Sequence, residues 1–372
     1  MTLTQLREPR TSDPIASEIS DAIARVLEPR AHRAAAQGTH VLELWRLAVQ
    51  CLRGGKMLRP RLLMGAFDAI AGARDGLALR RHAALDLAAA LEVLHFSFLL
   101  HDDLIDEDLL RRGSPNLIGH LASGRGPRTA FADADPRETR RLHWARSSAL
   151  LVGDLMLTIA HQVFARVHLP EHARIRVLDL LDTAVSETVA GEYSDVGLAD
   201  GALASDVELV LEMTRMKTAT YTFELPLRIA AVLADAPPRL GMLLGDAGRH
   251  LGIAFQLQDD LLSAFGRPEA HGKDEFSDFR EGKETALIAH ARTTAAWPTI
   301  EELLGRPEFT AENGRTIQRL LESSGSRACI ESMVRDRISA ALTILAPEGD
   351  PVPPAVSSFI LGLVDSIDGR RA

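Results

Sequence analysis

Asp102 and Asp106, within HDDLIDEDLLRRG (residues 101–113), stand four apart. On a helix that spacing puts both carboxylates on one face, one turn from each other. Like charges so placed repel by about 0.2–0.5 kcal/mol. A hard divalent cation such as Mg²⁺ offsets the repulsion, especially where phosphate oxygens complete its octahedron. The thirteen residues hold five acids and two arginines and directly follow the apolar run LEVLHFSFLL. An apolar helix that ends in acids has two readings. It is a solvated helix end, with Asp103, Glu107 and Asp108 merely in water, or it is a metal site at the mouth of an apolar chamber. DDLID alone does not separate them.

A second acidic pair, Asp259 and Asp260, follows another apolar run in GIAFQLQDDLLSAFG (252–266) and reads as a second acidic helix end. Four after Asp259 comes Ser263, not a carboxylate. Two such ends facing each other across a cavity would hold several Mg²⁺ ions around a diphosphate. A diphosphate also calls for cations. GGKMLRP (54–60) offers Lys56 and Arg59, three apart on one face, with glycines that allow close backbone approach. Arg111 and Arg112 follow the first acidic cluster by about a turn, and Lys217 precedes a threonine in MKTATYT. Lys273 and Lys283 sit in a charged loop, FGRPEAHGKDEFSDFREGK. Of 42 basic residues only these four, at 56, 217, 273 and 283, are lysines. A chain that uses arginine almost everywhere keeps lysine where a compact ammonium serves better than a planar guanidinium. All four fall beside candidate phosphate chemistry.

The elements that must position these groups are helices. Asp13-Pro14 reads as an N-cap followed by proline at the first helical position. Apolar spacings of three and four predict helices over 15–28, roughly 37–52, 57–71, 78–107, 138–167, 171–197, 204–234 and 239–264. Shorter helices follow over 284–346 and a last one runs to about 368. A polar Gly/Pro-rich loop is expected over 119–138, ending in a capping box at Asp135–Glu138. A second loop is expected over 265–283, and a break over 346–354. Residues 1–13 are expected to be disordered. No period-2 strand series and no short repeat occurs, so the whole chain, 1–372, reads as a single all-α domain.

Composition narrows the class. Hydrophobic residues make up 46% and charged residues 25%, as in an ordinary globular protein, and only 5% are aromatic. The net charge of −9 argues against a nucleic-acid partner. Two cysteines, Cys51 and Cys329, with no zinc spacing point to a reducing, cytoplasmic setting. MTLTQLREPRTSDP has no apolar signal-peptide core. No uninterrupted apolar run of about 18 residues occurs, so no transmembrane segment is expected.

The motifs GGKMLRP, HFSFLLHDDLIDEDLLRRG, GEYSD, KTATYT and FQLQDDLLSAFGRPEAHGKDEFSDFREGKETAL come in the order found in trans-isoprenyl diphosphate synthases, the polyprenyl synthetase family. The chain resembles that family from about Gly54 to Thr285, most closely its actinobacterial short-chain members of geranylgeranyl diphosphate type. The resemblance implies an all-α bundle around a deep central cavity, as a homodimer. It implies a Mg²⁺-dependent, head-to-tail condensation of isopentenyl diphosphate with an allylic diphosphate. Asp102 and Asp106 would hold two Mg²⁺ ions and Asp259 a third. Arg111, Lys217 and Lys273 would bind the allylic diphosphate. Lys56, Arg59, His95 and Arg112 would bind isopentenyl diphosphate, with Lys283 a further substrate contact. Gln256 and Thr218 would lie near the developing allylic cation. Glu192 and Ser263 depart from the family's usual glutamine and aspartate.

His95 lies seven residues before Asp102, two turns along the same face and about 10 Å by helix rise. That makes it a packed core residue or, on the family pattern, a ligand contact. His101 reads as a packing residue. The family's chain-length ruler lies below the first acidic cluster, which here means Phe98 and Ser97. One aromatic and one small residue make a partial floor, so C20 products are expected, with C15 next. Two rivals remain. A class I terpene cyclase would use DDLLSAFGR as its second metal motif, but Arg267 replaces the glutamate, and GGKMLRP supplies an isopentenyl diphosphate site that a cyclase lacks. A non-catalytic partner subunit has only Ser263 in its favour.

Overall fold

The computed structural model describes residues 13–53, 55–72, 78–111, 113–124, 138–266, 276–346 and 352–368. Residues 1–12, Gly54, Arg112, Lys273, most of the two expected loops, the start of the capping box at Asp135 and most of the 346–354 break lie outside these. The described residues are almost wholly helical, apart from two-residue strands at Leu110–Arg111 and Ser114–Pro115.

By contact, the chain divides into two compact units that alternate along the sequence. One takes Met1–Met64, Ala78–Leu109 and Pro115–Leu169; the other takes Gly65–Leu77, Leu110–Ser114 and Pro170–Ala372.

The first unit is built on α1 (Pro14–Gln37), α2 (Thr39–Leu52), α4 (Ala78–Ile105), α5 (Leu117–Ala122) and α6 (Glu138–Arg166). The helix between α2 and α4, α3 (Leu58–Ala71), starts in this unit and continues into the other. The expected cap is present: the Asp13 carboxylate accepts from Ile15 N at 3.1 Å and Ala16 N at 3.4 Å, with Pro14 next. The expected stop before Pro29 is not. α1 runs through it, because Ile19, Ala22, Ile23, Leu27 and Ala34 stay buried along one stripe and their packing outweighs the lost bond. α5 takes up the start of the expected 119–138 loop; Asn116 caps it, its carbonyl accepting from Gly119 N at 2.8 Å. α4 packs along α6 and α1. Both Arg80–Ile105 and Arg140–Arg166 are long and apolar enough to cross a bilayer by length and composition, although charged residues interrupt the apolar run of each. In α4, 78% of the apolar window is buried inside the protein, as in a core helix.

The second unit comprises α7 (Glu171–Ala199), α8 (Val207–Thr214), a π-helix (Arg215–Glu224), α9 (Leu225–Leu233), α10 (Pro238–Phe265), α11 (Ser277–Glu281), α12 (Ala286–Ala291), α13 (Trp297–Leu303), α14 (Ala311–Ser323), α15 (Ser326–Ile344) and α16 (Pro354–Asp368). The single helix expected over 204–234 is thus three segments, with i→i+5 bonding in the middle: Leu225 N donates to Thr220 O. α10 packs against α15 and the π-helix. Gly252 lets α10 and the π-helix close, since a Cβ there would come within 2.6 Å of the Ala219 Cα.

Candidate functional site

The candidate residues fall into two groups, one in each unit. In the first, α4 forms from an Ala/Leu-rich run of strong helix formers. Between Leu87 and Leu100 the only residues not buried are His95, Phe98 and Leu99. With the half-buried Asp102 they are spaced i, i+3, i+4 and i+7, a partly accessible stripe along this stretch of the helix. Asp106 lies one residue past the helix end, but its N–H still donates to the Asp102 carbonyl at 2.8 Å. The two carboxylates therefore keep their one-turn spacing. Glu107 then adopts a left-handed conformation, φ 59°, and ends the helix. Its exposed carboxylate pairs with Arg146 at 2.9 Å.

Two expectations change here. Asp103 is not solvated: it is only 3% exposed. Burial, with the Asp103 charge adding to it, pushes the Cys51 thiol up to about 11. Ser97 is not on the accessible stripe either. It is fully buried, and its hydroxyl donates to the Gly153 carbonyl of α6 at 2.8 Å. One turn on, His101 packs on the same residue, where a Cβ on Gly153 would come within 2.5 Å of the ring, and its Nε2 lies 3.4 Å from Asp154. Ser97 and His101 thus pack on Gly153 of α6, while His95, Phe98 and Asp102 lie on the partly accessible stripe.

Lys56 precedes α3 instead of sharing a helical face with Arg59. Met57 between them is left-handed, φ 50°, so the chain turns sharply before the helix begins. Lys56 is exposed and Arg59 buried.

In the second unit, the helix expected over 239–264 is present as α10, so Asp259 and Asp260 do not end it as the acidic pair taken alone suggested. It runs on to Phe265, where Gly266 N closes the last turn on Leu262 O at 2.8 Å. The two acids sit differently. Asp259 is half-buried; Asp260 is buried and accepts from the Gln256 amide at 2.9 Å. Gln256, assigned to the allylic cation, is thereby anchored to Asp260. Ser263 is buried and its hydroxyl has no hydrogen-bond partner.

Lys217 and Thr218 lie on the π-helix. The Lys217 ammonium is 2.9 Å from Glu192 and 2.5 Å from Asp195, both on α7. The backbone of Lys217 lies against Gly191, where a Cβ would come within 2.3 Å of its nitrogen. The GEYSD motif therefore contacts Lys217 at three points. Three residues given no role from the sequence complete this face: Glu187 accepts from Arg215 NH1 at 2.7 Å and from the Thr220 hydroxyl at 2.7 Å. The four-residue steps Glu187, Gly191, Asp195 in ETVAGEYSD were the available signal. Lys283 follows α11 and pairs with Glu281 at 3.1 Å. Arg111, half-buried, lies on the short strand Leu110–Arg111.

Among the described residues no three His, Cys, Asp or Glu side chains form a ready-made metal cage. The donor set fits Mg²⁺ nonetheless. That ion is held by one or two carboxylates together with substrate phosphates and water, and Asp102 with Asp106 supplies such a pair on one face.

Residues 43–321 match the family model described as polyprenyl synthetase. The chain is 32% identical over 311 residues to a (2E,6E)-farnesyl diphosphate synthase of Mycobacterium tuberculosis, covering 81% of this chain and 76% of that one. It is 30% identical over 315 residues to a geranylfarnesyl diphosphate synthase of Aeropyrum pernix, 84% and 88% of the two. Among solved structures it resembles a geranylgeranyl pyrophosphate synthase of Corynebacterium glutamicum, complexed with isoprenyl diphosphate and magnesium. The TM-score is 0.84 at 29% identity, over 97% of this chain and all of that one.

Proposed function

The chain belongs to the polyprenyl synthetase family and is a short-chain trans-prenyltransferase acting on the substrates of prenyl diphosphate synthases, and we propose that its main product is geranylgeranyl diphosphate (C20), with farnesyl diphosphate (C15) next. The observation that carries the product length is the accessible stripe of α4. Phe98 stands one turn below Asp102 on that stripe, where a growing tail would meet its ring, while Ser97 faces α6.

In this reading Asp102 and Asp106 hold two Mg²⁺ ions and Asp259 a third. When bound, the ions supply positive charge to the departing diphosphate. Arg111, Lys217 and Lys273 bind the same diphosphate, the Lys217 ammonium being held between Glu192 and Asp195. These charges favour heterolysis of the allylic C–O bond. Lys56, Arg59, His95 and Arg112 bind the diphosphate of isopentenyl diphosphate and orient its double bond, and Lys283 is a further substrate contact. The oxygens of Gln256 and Thr218 face the developing cation. The isopentenyl double bond attacks the allylic carbon, and a proton then passes to the released diphosphate, so no protein base is needed. The apolar wall of α4 keeps water from the cation.

The two compact units act as one catalytic domain in this reading. The enzyme is cytoplasmic, where the free thiols of Cys51 and Cys329 persist, and works as a homodimer. The exposed Leu150, Leu151 and Leu155 of α6 support a face for a second copy.

The test is incubation of the purified protein with Mg²⁺, labelled isopentenyl diphosphate and, in turn, C5, C10 and C15 allylic diphosphates. Elongation stopping at C20 is expected. Products of C30 or longer would overturn the Phe98 floor. A cyclic hydrocarbon from C15 or C20 alone, or no reaction, would overturn the synthase reading.

A further inference from the structure

Lys217 and Thr218 ride on a π-helix, an element that is rare and concentrated at functional sites. Something must hold it against reverting to the α form. In an α-helix each residue turns about 100°, so residues five apart point roughly 140° away from each other. With i→i+5 bonding they share a face. Arg215 and Thr220 are such a pair, and both reach the same oxygen. Arg215 NH1 and the Thr220 hydroxyl each donate to Glu187 Oε2 at 2.7 Å. The Thr220 hydroxyl is also 3.1 Å from the Arg215 carbonyl, five residues back. The other edge of the guanidinium is fixed by Glu212, with Nε 2.9 Å from Oε2 and NH2 2.8 Å from Oε1.

Glu187 sits on the same face of α7 as Gly191 and Asp195, at steps of four. Gly191 admits the Lys217 backbone, and Asp195 takes its ammonium. One helix face thus engages the π-helix at its register, its approach and its functional head. We infer that Glu187, through Arg215 and Thr220, locks the π register of Arg215–Glu224 and so sets where Lys217 and Thr218 point. It is a positioning residue for the allylic substrate and touches neither substrate nor metal. The inference rests on the reading of Lys217 as an allylic diphosphate contact.

The experiment compares Glu187→Leu, Glu187→Gln, Thr220→Val and Lys217→Ala in the full chain. It reads KM for the allylic and isopentenyl diphosphates separately, with thermal melting alongside. Glu187→Leu is expected to raise the allylic KM by about tenfold or more while the isopentenyl KM stays within about twofold. Glu187→Gln, which still accepts from Thr220, is expected to recover most of the loss. A folded Glu187→Leu with an unchanged allylic KM, or with both KM values raised equally, would overturn the clamp. Should Glu187→Leu fail to fold, Thr220→Val carries the same comparison. Should Lys217→Ala leave the allylic KM unchanged, the Lys217 reading fails, and the clamp is judged on register. A crystal structure of Glu187→Leu is expected to show α-type bonding across 215–224. A retained bond from Leu225 N to Thr220 O would overturn it.

Discussion

The acid pairs on α4 and α10 look alike as strings, DDLID against DDLLS, yet the chain handles them differently. On α4 the helix stops at the pair, so Asp102 and Asp106 stay accessible while Asp103 turns into the core. On α10 the helix runs on for five residues past the pair, Asp260 is buried against Gln256, and only Asp259 remains half-open. A helix end exposes two carboxylates one turn apart. On both helices the first aspartate is half-buried and the second buried; the difference lies four residues on, where Asp106 is exposed past the end of α4 and Ser263 is buried within the continuing α10. The arrangement matches a proposed division of two ions at the first pair and one at the second, and it gives Ser263 a meaning. Ser263 is buried with its hydroxyl unpartnered, so the second string offers no second accessible carboxylate at that position.

The contrast can be broken most directly by alanine. Asp102→Ala is expected to lower kcat/KM by about 10³-fold and Asp259→Ala by about 10²-fold, within the range seen when one electrostatic stabiliser of a transition state is removed. Steady-state product formation, with circular dichroism to check folding, makes the comparison; equal losses would end the two-to-one division. On α4 itself, Phe98→Ala is expected to lengthen the product by at least one isoprene unit. Ser97→Ala should leave product length alone and cost about 1 kcal/mol of stability by removing the buried hydrogen bond to the Gly153 carbonyl. Chromatography of products and denaturant unfolding separate the two.

A smaller effect is expected on α7. Burial raises the Glu187 pKa, but the bonds from Thr220 and Arg215 outweigh it and hold the carboxyl below its ordinary value of 4.5. The stability it contributes is present above that value and is lost as pH falls through the lower, folded one. Acid unfolding followed below about pH 4.5 should therefore be less steep in Glu187→Gln than in the parent chain. The slightest effect is at Cys51. With its thiol pushed up to about 11, only about one molecule in a thousand is thiolate at pH 8. Alkylation at pH 8 should be slow there, and Asp103→Asn should speed it.

Much of this was legible beforehand. Helix periodicity located most elements, the Asp13-Pro14 cap stood where the residues put it, and the motif order identified the family. What escaped depended on tertiary contacts. Pro29 ends a helix by local rules, yet α1 continues because its buried stripe does. A π-helix has the composition of an α-helix; only Glu187, 28 residues upstream of Arg215, reveals why the register widens. Asp103 and Ser97 differ from Asp102 and Phe98 by one position, or 100° of helix, so their partners in the fold decide which of them meets solvent. Lys56 and Arg59 have the spacing of one helical face, but the left-handed Met57 starts the helix after Lys56.

The alternation of the two units along the chain bears on biosynthesis. The first unit is complete once Leu169 has emerged, and it already carries Asp102 and Asp106. The remaining 203 of 372 residues take roughly 10–40 s more at ribosomal rates of about 5–20 residues per second. Gly65–Leu77 is synthesised in this first stretch although it is assigned to the later unit. The nascent protein therefore carries its first acidic pair before Lys217 and Asp259 have been synthesised.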